Sequence, residues 1–267
     1  MIIARSLEEL QSAVDAIKAD GKTIGFVPTM GALHDGHLGL MKLAATHADV
    51  VSVSIYVNPT QFAPNEDFDS YPRDVDGDLA KLQTVGVGLV YLPRTEDMYP
   101  NGTEITVKAG KAAQGLESDF RPHFFDGVAT VVHRLFMQMR PDVAVFGEKD
   151  YQQLQVIKEM TEAENLTIEI IGGETARDAE GLALSSRNAY LSDTEIKSAR
   201  ILNRILRDVA TAHESERTAT IEYGIQALRE AGFDKIDYLA TKPEWNRVLV
   251  AAWLGKTRLI DNMATSA

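Results

Sequence analysis

The feature that most constrains the fold is an alternation of short β-rich runs with helical apolar patterns through the first two thirds of the chain. The β-rich runs predict strands at Thr23–Val27, Val50–Tyr56, Val87–Leu92, Val143–Phe146 and Thr167–Ile171. Helical spacing predicts helices at about His37–Ala48, Asp74–Val85, Gly127–Met139 and Tyr151–Glu162. Strands alternating with helices of this length need crossover connections, which give a parallel sheet covered on both faces. The pattern therefore predicts an α/β, Rossmann-like domain over residues 1–174.

The two ends of this domain carry their own signals. Ser6 and Glu9 have capping-box spacing ahead of an apolar helical repeat that stops at Gly21, so the chain is predicted to open with a helix. After Gly172 and Gly173 the pattern changes, and Ser192 with Glu195 predicts a second capping box at the start of one long helix.

Helices followed by neighbouring strands then predict a smaller α+β domain over residues 175–267. A helix is predicted at about Thr220–Ala231, with Glu214–Arg217 as a solvated loop before it. Strands are predicted at Lys235–Thr241, Arg247–Trp253 and Thr257–Ile260.

Composition narrows the classes of function. The 267 residues include no cysteine, which excludes disulfides, thiolate metal sites and cysteine nucleophiles and fits a reducing compartment. No run of apolar residues reaches membrane-spanning length and no signal peptide is evident, so a cytoplasmic location is expected. A net charge of −12 argues against a general nucleic-acid binder. An anionic small molecule would need a locally positive pocket, which makes clustered Lys, Arg and His side chains informative.

Four unusual loops follow predicted strands. They contain PTMGALHDGH, VNPTQF, FGEKDYQQ and GLALSSRN, and each mixes glycine with polar groups suited to an anion. In open α/β sheets ligands bind beyond the carboxyl ends of the strands, so these loops are expected to converge on one rim.

The first of these loops places two histidines at the start of a helix. Backbone N–H groups at a helix N-terminus favour phosphate, and the imidazoles of His34 and His37 are expected on the same side of the first turn. Together they could hold a triphosphate and donate hydrogen bonds to developing charge. The alternatives are ordinary loop histidines or a zinc site, which two imidazoles without thiolates would leave short of ligands.

Four other side chains suit an anionic, hydroxylated substrate. Lys149 could reach a phosphate or carboxylate, or could simply pair with a neighbouring acid. Arg187 follows two serines, an arrangement suited to phosphate, although the serines could equally form an ST-turn. Gln61 and Gln153 could orient a substrate without adding charge, or could cap a loop and a helix.

Longer strings identify a family. HDGH resembles the H-x-G-H signature of the nucleotidyltransferases and class I aminoacyl-tRNA synthetases. PTMGALHDGH, SIYVNPTQF, GVATVVHRLF, FGEKDYQQL, GLALSSRNAYLS and AAWLGKTRLIDN all resemble the pantothenate synthetase family, in the order that family shows. The resemblance extends from about Gly25 to Asn262.

The resemblance implies site residues. His37, His34, Lys149 and Arg187 take the catalytic positions, with His37 in the proton-donor role. The positions that match ATP contacts are Pro28, Thr29, Met30, Gly31, Ala32, Leu33, His34, Asp35, Gly36, His37, Gly147, Glu148, Lys149, Asp150, Ala176, Leu184, Ser185, Ser186 and Arg187. The positions that match the pantoate and β-alanine pocket are Gln61, Gln153, Asn58, Tyr71 and Arg121.

It also implies an ATP-dependent ligation. Pantoate would attack the α-phosphate of ATP to give pantoyl adenylate and pyrophosphate, and β-alanine would then displace AMP to give pantothenate. Phosphoryl transfer requires alignment and charge compensation, which the named side chains and Mg²⁺ can supply, with Asp78 as an expected metal ligand, either directly or through water. A homodimer is expected, and the smaller domain is expected to act as a lid over the adenylate.

Two positions depart from the family pattern. Phe124 stands where RPHFFDGV would usually carry a histidine, and Gly77 precedes Asp78 where an acidic pair is common. Two other functions stay open at this point. One is a nucleotidyltransferase that passes the nucleotide to a phosphate ester without releasing AMP, and the other is a nucleotide-binding protein without catalysis.

Overall fold

A computed structural model describes residues 1–63 and 66–265. Residues 64 and 65, which lie between the predicted strand Val50–Tyr56 and the predicted helix Asp74–Val85, and residues 266 and 267 of the predicted C-terminal domain, lie outside the described residues. The chain divides into two compact units. The N-terminal unit contains Met1–Glu148 and Gln152–Glu174, and the C-terminal unit contains Lys149–Tyr151 and Thr175–Ala267.

The N-terminal unit is built on a six-stranded parallel sheet, the Rossmann-like architecture that strand–helix alternation predicted. Its strands are β1 Ile2–Ala4, β2 Ile24–Thr29, β3 Val50–Ile55, β4 Leu89–Tyr91, β5 Val143–Gly147 and β6 Glu169–Gly173. The spatial order is β1-β4-β3-β2-β5-β6, and every pairing is parallel. The order reverses between β2 and β5, and the carboxyl ends of strands at such a switch point are where open sheets bind ligands.

Helices cover both faces of this sheet because successive strand residues point to opposite sides. The helices are α1 Leu7–Ala19, α2 Asp35–Ala44, α3 Val75–Thr84, α4 Thr95–Met98, α5 Glu117–Phe120, α6 Phe124–Met139 and α7 Tyr151–Ala163. One face packs Val27, Val53 and Val145 against apolar side chains of α2 and α3. On the other, Phe136 of α6 makes edge-to-face contacts with Phe26 and Phe146, at 6.3 Å in each case.

The C-terminal unit is α+β. It contains α8 Asp193–Ala199, α9 Ile201–Thr211 and α10 Glu214–Glu230, and an antiparallel sheet of β7 Lys235–Lys242, β8 Arg247–Leu254 and β9 Thr257–Ala264. Alternate residues of β8, Val248, Val250 and Ala252, are buried with Leu202, Ile205 and Leu206 of α9 in one apolar core. A single face of the sheet thus packs on the helices.

Three local predictions were wrong. The first strand, β1, was missed because three residues give no usable periodicity; it pairs Ile2 with Leu89 at the sheet edge. Glu214–Arg217 is the first turn of α10 and not a loop, since acidic residues favour a helix N-terminus and His213 caps it. The helix after Ser192 divides at Arg200, whose guanidinium pairs with Asp178 at 2.9 Å.

Among the described residues, no helix is both long enough and apolar enough to cross a membrane.

Candidate functional site

The loop after β2 is fixed at its start by the strand that precedes it. Pro28 and Thr29 end β2, Met30–Leu33 form the loop, His34 caps α2, and Asp35–His37 form the first turn. The Thr29 hydroxyl donates to the Ser54 carbonyl at 2.8 Å and accepts from the Gly31 N–H at 3.2 Å. The loop therefore leaves the sheet in one defined direction.

His34 and His37 cap the helix reciprocally. His34 Nδ1 accepts the Gly36 N–H at 3.2 Å, and His37 Nδ1 accepts the His34 N–H at 3.3 Å. Their ring centroids are 4.1 Å apart, so both imidazoles lie on the same side of the first turn, as the spacing predicted. Because each Nδ1 accepts a backbone proton, the neutral rings carry their own proton on Nε2. The pair thus presents two Nε2–H donors.

The backbone of this loop is already hydrogen-bonded within the protein. The N–H groups of Gly31, Ala32, Leu33, His34 and Gly36 all donate to side-chain acceptors. That backbone N–H groups here bind phosphate stays a prediction, and in this structure these five donate to side chains.

Asp78 supports the same loop from α3. Its two carboxylate oxygens accept the N–H groups of Ala32 and Leu33, each at 2.8 Å, and it is 1% exposed. Lys81 Nζ donates to the Leu33 carbonyl at 2.8 Å and lies 3.7 Å from Asp78 Oδ1. A buried carboxylate with both oxygens committed to N–H donors does not fit direct ligation of Mg²⁺, which needs an accessible oxygen. Within the described residues, no cluster of three or more acidic or histidine side chains could hold a metal ion.

The departure at Gly77 has a local reason. Asp74 caps α3 by accepting the Gly77 N–H at 3.0 Å. A Cβ at position 77 would lie 2.1 Å from the Asp74 carboxylate, so a side chain there would displace the cap. Glycine at this position thus accompanies the acidic cap at Asp74.

Asn58, predicted to line the substrate pocket, is buried, and its side chain forms hydrogen bonds with three other residues. Its Nδ2 donates to the Gly127 carbonyl at 3.4 Å, and its Oδ1 accepts from the hydroxyls of Tyr99 at 2.6 Å and Thr60 at 3.2 Å. Burial raises the pKa of Tyr99, so its hydroxyl stays protonated as a donor. The contacts of Asn58 join the loop after β3 to α6.

Arg121 is held by an acid that sequence reasoning missed. Its guanidinium donates to Glu66 at 2.6 and 2.7 Å and to the Gln61 carbonyl at 3.0 Å. Phe124, the other departure from the family pattern, places its ring 3.8 Å from the Arg121 Cζ. No motif flagged Glu66, because an exposed-looking acid in a loop gives no sequence signal. Tyr71, also predicted in the pocket, is buried with its ring 6.0 Å from Phe62.

The adjacent glutamines Gln152 and Gln153 of α7 differ in the hydrogen bonds of their side-chain amides. Gln152 is buried and donates to the carbonyls of Ala112 and Gly115 at 3.0 and 3.1 Å, while accepting the Glu117 N–H at 3.2 Å. Across residues 1–63 and 66–265, the side-chain amides of Gln153 and Gln61 have no hydrogen-bond partner. The capping roles considered for these two amides are thus not observed in that part of the chain.

Lys149 belongs to the C-terminal unit although its neighbours Gly147 and Glu148 belong to the N-terminal one. Its backbone carbonyl accepts from Asn262 Nδ2 at 2.9 Å, and Asn262 is buried in β9. The next residues are held too, since the Tyr151 ring lies 4.1 Å from the Arg247 guanidinium and 6.1 Å from Trp245. Lys149 Nζ is 3.9 Å from Asp150, but the side chain is 19% exposed, which does not match an ordinary surface lysine.

The other predicted ATP residues of this unit form a closed loop. The Leu184 N–H donates to the Ala176 carbonyl at 2.8 Å, and Arg177 pairs with the buried Asp261 at 2.6 Å. Ser185 forms the ST-turn considered above, accepting the Arg187 N–H at 3.3 Å ahead of a 3₁₀ turn at Ser186–Tyr190. The turn fixes the backbone of Ser186 and Arg187.

Comparison with known proteins gives concordant matches over the whole chain. A family model described as pantoate-beta-alanine ligase matches residues 2–264. Pantothenate synthetase of Mesorhizobium japonicum is 49% identical over 276 residues, which are 98% of this chain and 96% of that protein. The crystal structure of pantothenate synthetase from Thermus thermophilus superposes with a TM-score of 0.89 at 39% identity, covering 98% of this chain and 99% of that one.

A third match carries ligands. The crystal structure of pantoate-beta-alanine ligase from Francisella tularensis, complexed with beta-gamma ATP and beta-alanine, superposes with a TM-score of 0.87 at 38% identity. It covers 99% of this chain and 97% of that one.

Proposed function

This chain belongs to the pantoate–beta-alanine ligase family, and from that premise we propose the residues and steps by which it joins pantoate to β-alanine. The observation that carries the proposal is the reciprocal histidine cap, in which Nδ1 of each ring accepts a backbone N–H, so that we assign proton donation to Nε2 of His34 and His37. Donors fixed before the substrate arrives stabilise charge as it develops, without reorganisation during the reaction.

In the first step, a carboxylate oxygen of pantoate attacks the α-phosphorus of ATP. The bond between that phosphorus and the oxygen bridging to the β-phosphate breaks, and pyrophosphate leaves with the electron pair. His34 and His37 donate hydrogen bonds to the phosphate oxygens, with His37 as proton donor to the developing charge. Lys149 and Arg187 supply positive charge, and the partial burial of Lys149 strengthens its attraction for phosphate.

In the second step, the amine of β-alanine attacks the acyl carbon of pantoyl adenylate. The bond from that carbon to the phosphate oxygen breaks, AMP leaves, and the nitrogen loses a proton as the amide forms. Neither step needs a protein nucleophile, in keeping with a chain that has no cysteine.

Gln61 and Gln153 are the groups we assign to orienting pantoate and β-alanine. Support comes from the contrast with Gln152, whose amide is consumed by backbone partners. Asn58, Tyr71 and Arg121 stay assigned to the pocket, and the contacts of Asn58 and Arg121 suit them to shaping its wall. Mg²⁺ is assigned to ATP as its counter-ion, because the contacts of Asp78 do not fit direct ligation of the metal.

The test measures AMP, pyrophosphate and pantothenate with purified protein, Mg-ATP, pantoate and β-alanine, omitting each substrate in turn. We expect equal amounts of AMP and pantothenate only when all three are present. His37→Ala should reduce turnover at least a hundredfold. His47→Ala, at an exposed histidine beyond the end of α2, is the matched control and should leave turnover unchanged.

Other outcomes have definite meanings. Pyrophosphate release with pantoate but no β-alanine-dependent AMP would indicate nucleotidyl transfer to a different acceptor. Binding of ATP with no release of either product would indicate a nucleotide-binding protein. Either result would remove the ligase mechanism proposed for this chain.

Three wider parts of the proposal rest on the sequence. Residues 1–174 are assigned to nucleotide and pantoate binding, and residues 175–267 to the lid. A homodimer is proposed from the family resemblance alone, and a cytoplasmic location from the lack of cysteine. Light scattering on the purified chain tests the dimer, since a monomer mass would contradict it.

A further inference from the structure

The backbone ahead of the two histidines adopts an unusual conformation. Gly31 and Ala32 both have positive φ, at +85° and +50°. Alanine rarely occupies this region because its Cβ approaches the following carbonyl oxygen. In tight turns, successive backbone N–H groups can converge to form a concavity that binds anions.

The anion in this concavity is a side chain of the protein. The N–H groups of Ala32 and Leu33 converge on the two oxygens of Asp78, each at 2.8 Å. A carboxylate can accept both donors at once, whereas a carboxamide would turn an N–H₂ group toward one of them. The buried position of Asp78 excludes water as a substitute acceptor.

Lys81, one turn further along α3, completes the arrangement. It donates to the carbonyl of Leu33 at 2.8 Å, so both the N–H and the C=O of this residue are held from α3. His34 directly follows Leu33, and the His34 N–H donates to His37 Nδ1. A displacement of Leu33 therefore moves the residue on which both imidazole orientations depend.

We propose that Asp78 and Lys81 are positioning residues, which hold the loop of residues 31–33 so that His34 and His37 present their Nε2–H groups in register. Asp78 acts through the backbone and not as a ligand of Mg²⁺. The inference rests on the proposed role of the histidines, and it extends that role to a pair of residues 41 to 47 positions away in sequence.

The test compares Asp78→Asn and Lys81→Met with Asp76→Asn, an exposed acid in the same first turn of α3. Asp78→Asn should lower kcat by about 10- to 100-fold, as small displacements of reacting groups do, and Lys81→Met should lower it less. Raising the concentration of Mg²⁺ should restore neither, and Asp76→Asn should behave as the parent. Hydrogen exchange supplies a readout independent of activity: the Ala32 and Leu33 amides should exchange at least tenfold faster in Asp78→Asn.

Two results would overturn the inference. Recovery of Asp78→Asn at high Mg²⁺, with unchanged amide exchange, would make Asp78 a metal ligand. Unchanged kcat in Lys81→Met, together with unchanged amide exchange at Leu33, would show that Lys81 does not position the loop of residues 31–33. Because Lys81 is exposed, this variant can be tested even if Asp78→Asn does not fold. Failure of the histidine proposal is separate, since then His37→Ala would retain turnover while both α3 variants still accelerated exchange.

Discussion

Two imidazoles at the start of α2 take the places that serine and glutamate usually hold in a capping box. Each uses Nδ1 for the backbone, so the structural contact and the proposed chemistry are divided between the two nitrogens of one ring. This division means that the roles can be separated by side chains that mimic one nitrogen only.

His37→Asn is expected to keep the cap and lose the chemistry. The asparagine Oδ1 can take the place of Nδ1 as acceptor for the His34 N–H, but nothing replaces Nε2–H. We predict unchanged stability in urea with a loss of about 100- to 1000-fold in kcat. His37→Ala should lose both, with about 1 kcal/mol of stability. Wild-type turnover in the folded asparagine variant would show that Nε2 has no part in the reaction.

At the neighbouring glutamines of α7, Gln152 and Gln153, an effect on stability can be separated from an effect on substrate binding. Gln152→Ala removes the acceptor for the Glu117 N–H and the donor to the Ala112 and Gly115 carbonyls, so we predict a loss of about 1–3 kcal/mol in the free energy of unfolding. Gln153→Ala should leave stability unchanged and raise KM for pantoate. Urea titrations and initial rates measure the two effects, and a destabilised Gln153→Ala would place that amide in the fold instead.

Among elements, the contact of α2 with β6 gives a packing reason for the glycine at position 173. A Cβ on Gly173 would lie 2.3 Å from Leu40 Cδ2, so the leucine side chain would have to move to admit it. The same contact fixes the axis of α2 and therefore the direction of its first turn.

Replacing glycine by alanine should have opposite effects on stability at Gly173 of β6 and at Gly39 of α2. Gly173→Ala should destabilise the protein by about 1–3 kcal/mol through overpacking against Leu40. Gly39→Ala, on the exposed face of α2 with nothing within 4 Å, should stabilise it by about 0.5–1 kcal/mol through helix propensity. Equal effects in thermal or urea unfolding would contradict the packing that the structure shows.

For the whole molecule, acid stability should depend on Asp142. Burial alone would raise the pKa of this carboxyl, but hydrogen bonds from Lys18 Nζ at 2.5 Å and the Ile24 N–H at 2.6 Å outweigh burial and lower it. A lowered pKa in the folded state contributes stability above the unfolded value of about 3.9, and that stability is lost as pH falls through the folded value.

Asp142→Asn should therefore lower stability at pH 6 and show a shallower loss between pH 5 and the acid limit. Urea midpoints measured at intervals of pH give the slope directly. A variant with the same acid slope as the parent would show that other carboxyl groups determine it.

Much of this molecule could be predicted from the sequence, at the level of elements. Strand–helix alternation and the capping pair at Ser192 and Glu195 correspond to observed features, because each depends on residues close in the chain. The side-by-side histidines follow for the same reason. The contacts of Asp78 with Ala32, of Glu66 with Arg121 and of Asn262 with Lys149 join residues far apart, and no local pattern encodes them. The roles of the predicted site residues remain predictions.

The placement of Lys149–Tyr151 in the C-terminal unit has a consequence for recombination between relatives. A hybrid joined once, near Glu174, would take Lys149 and Tyr151 from one parent and their respective partners Asn262 and Arg247 from the other. The C-terminal unit is therefore not one continuous segment of the chain. To exchange it whole, a hybrid must also take Lys149–Tyr151 from the same parent. A hybrid that keeps this contact must take Lys149 and β9, the last strand, from the same parent.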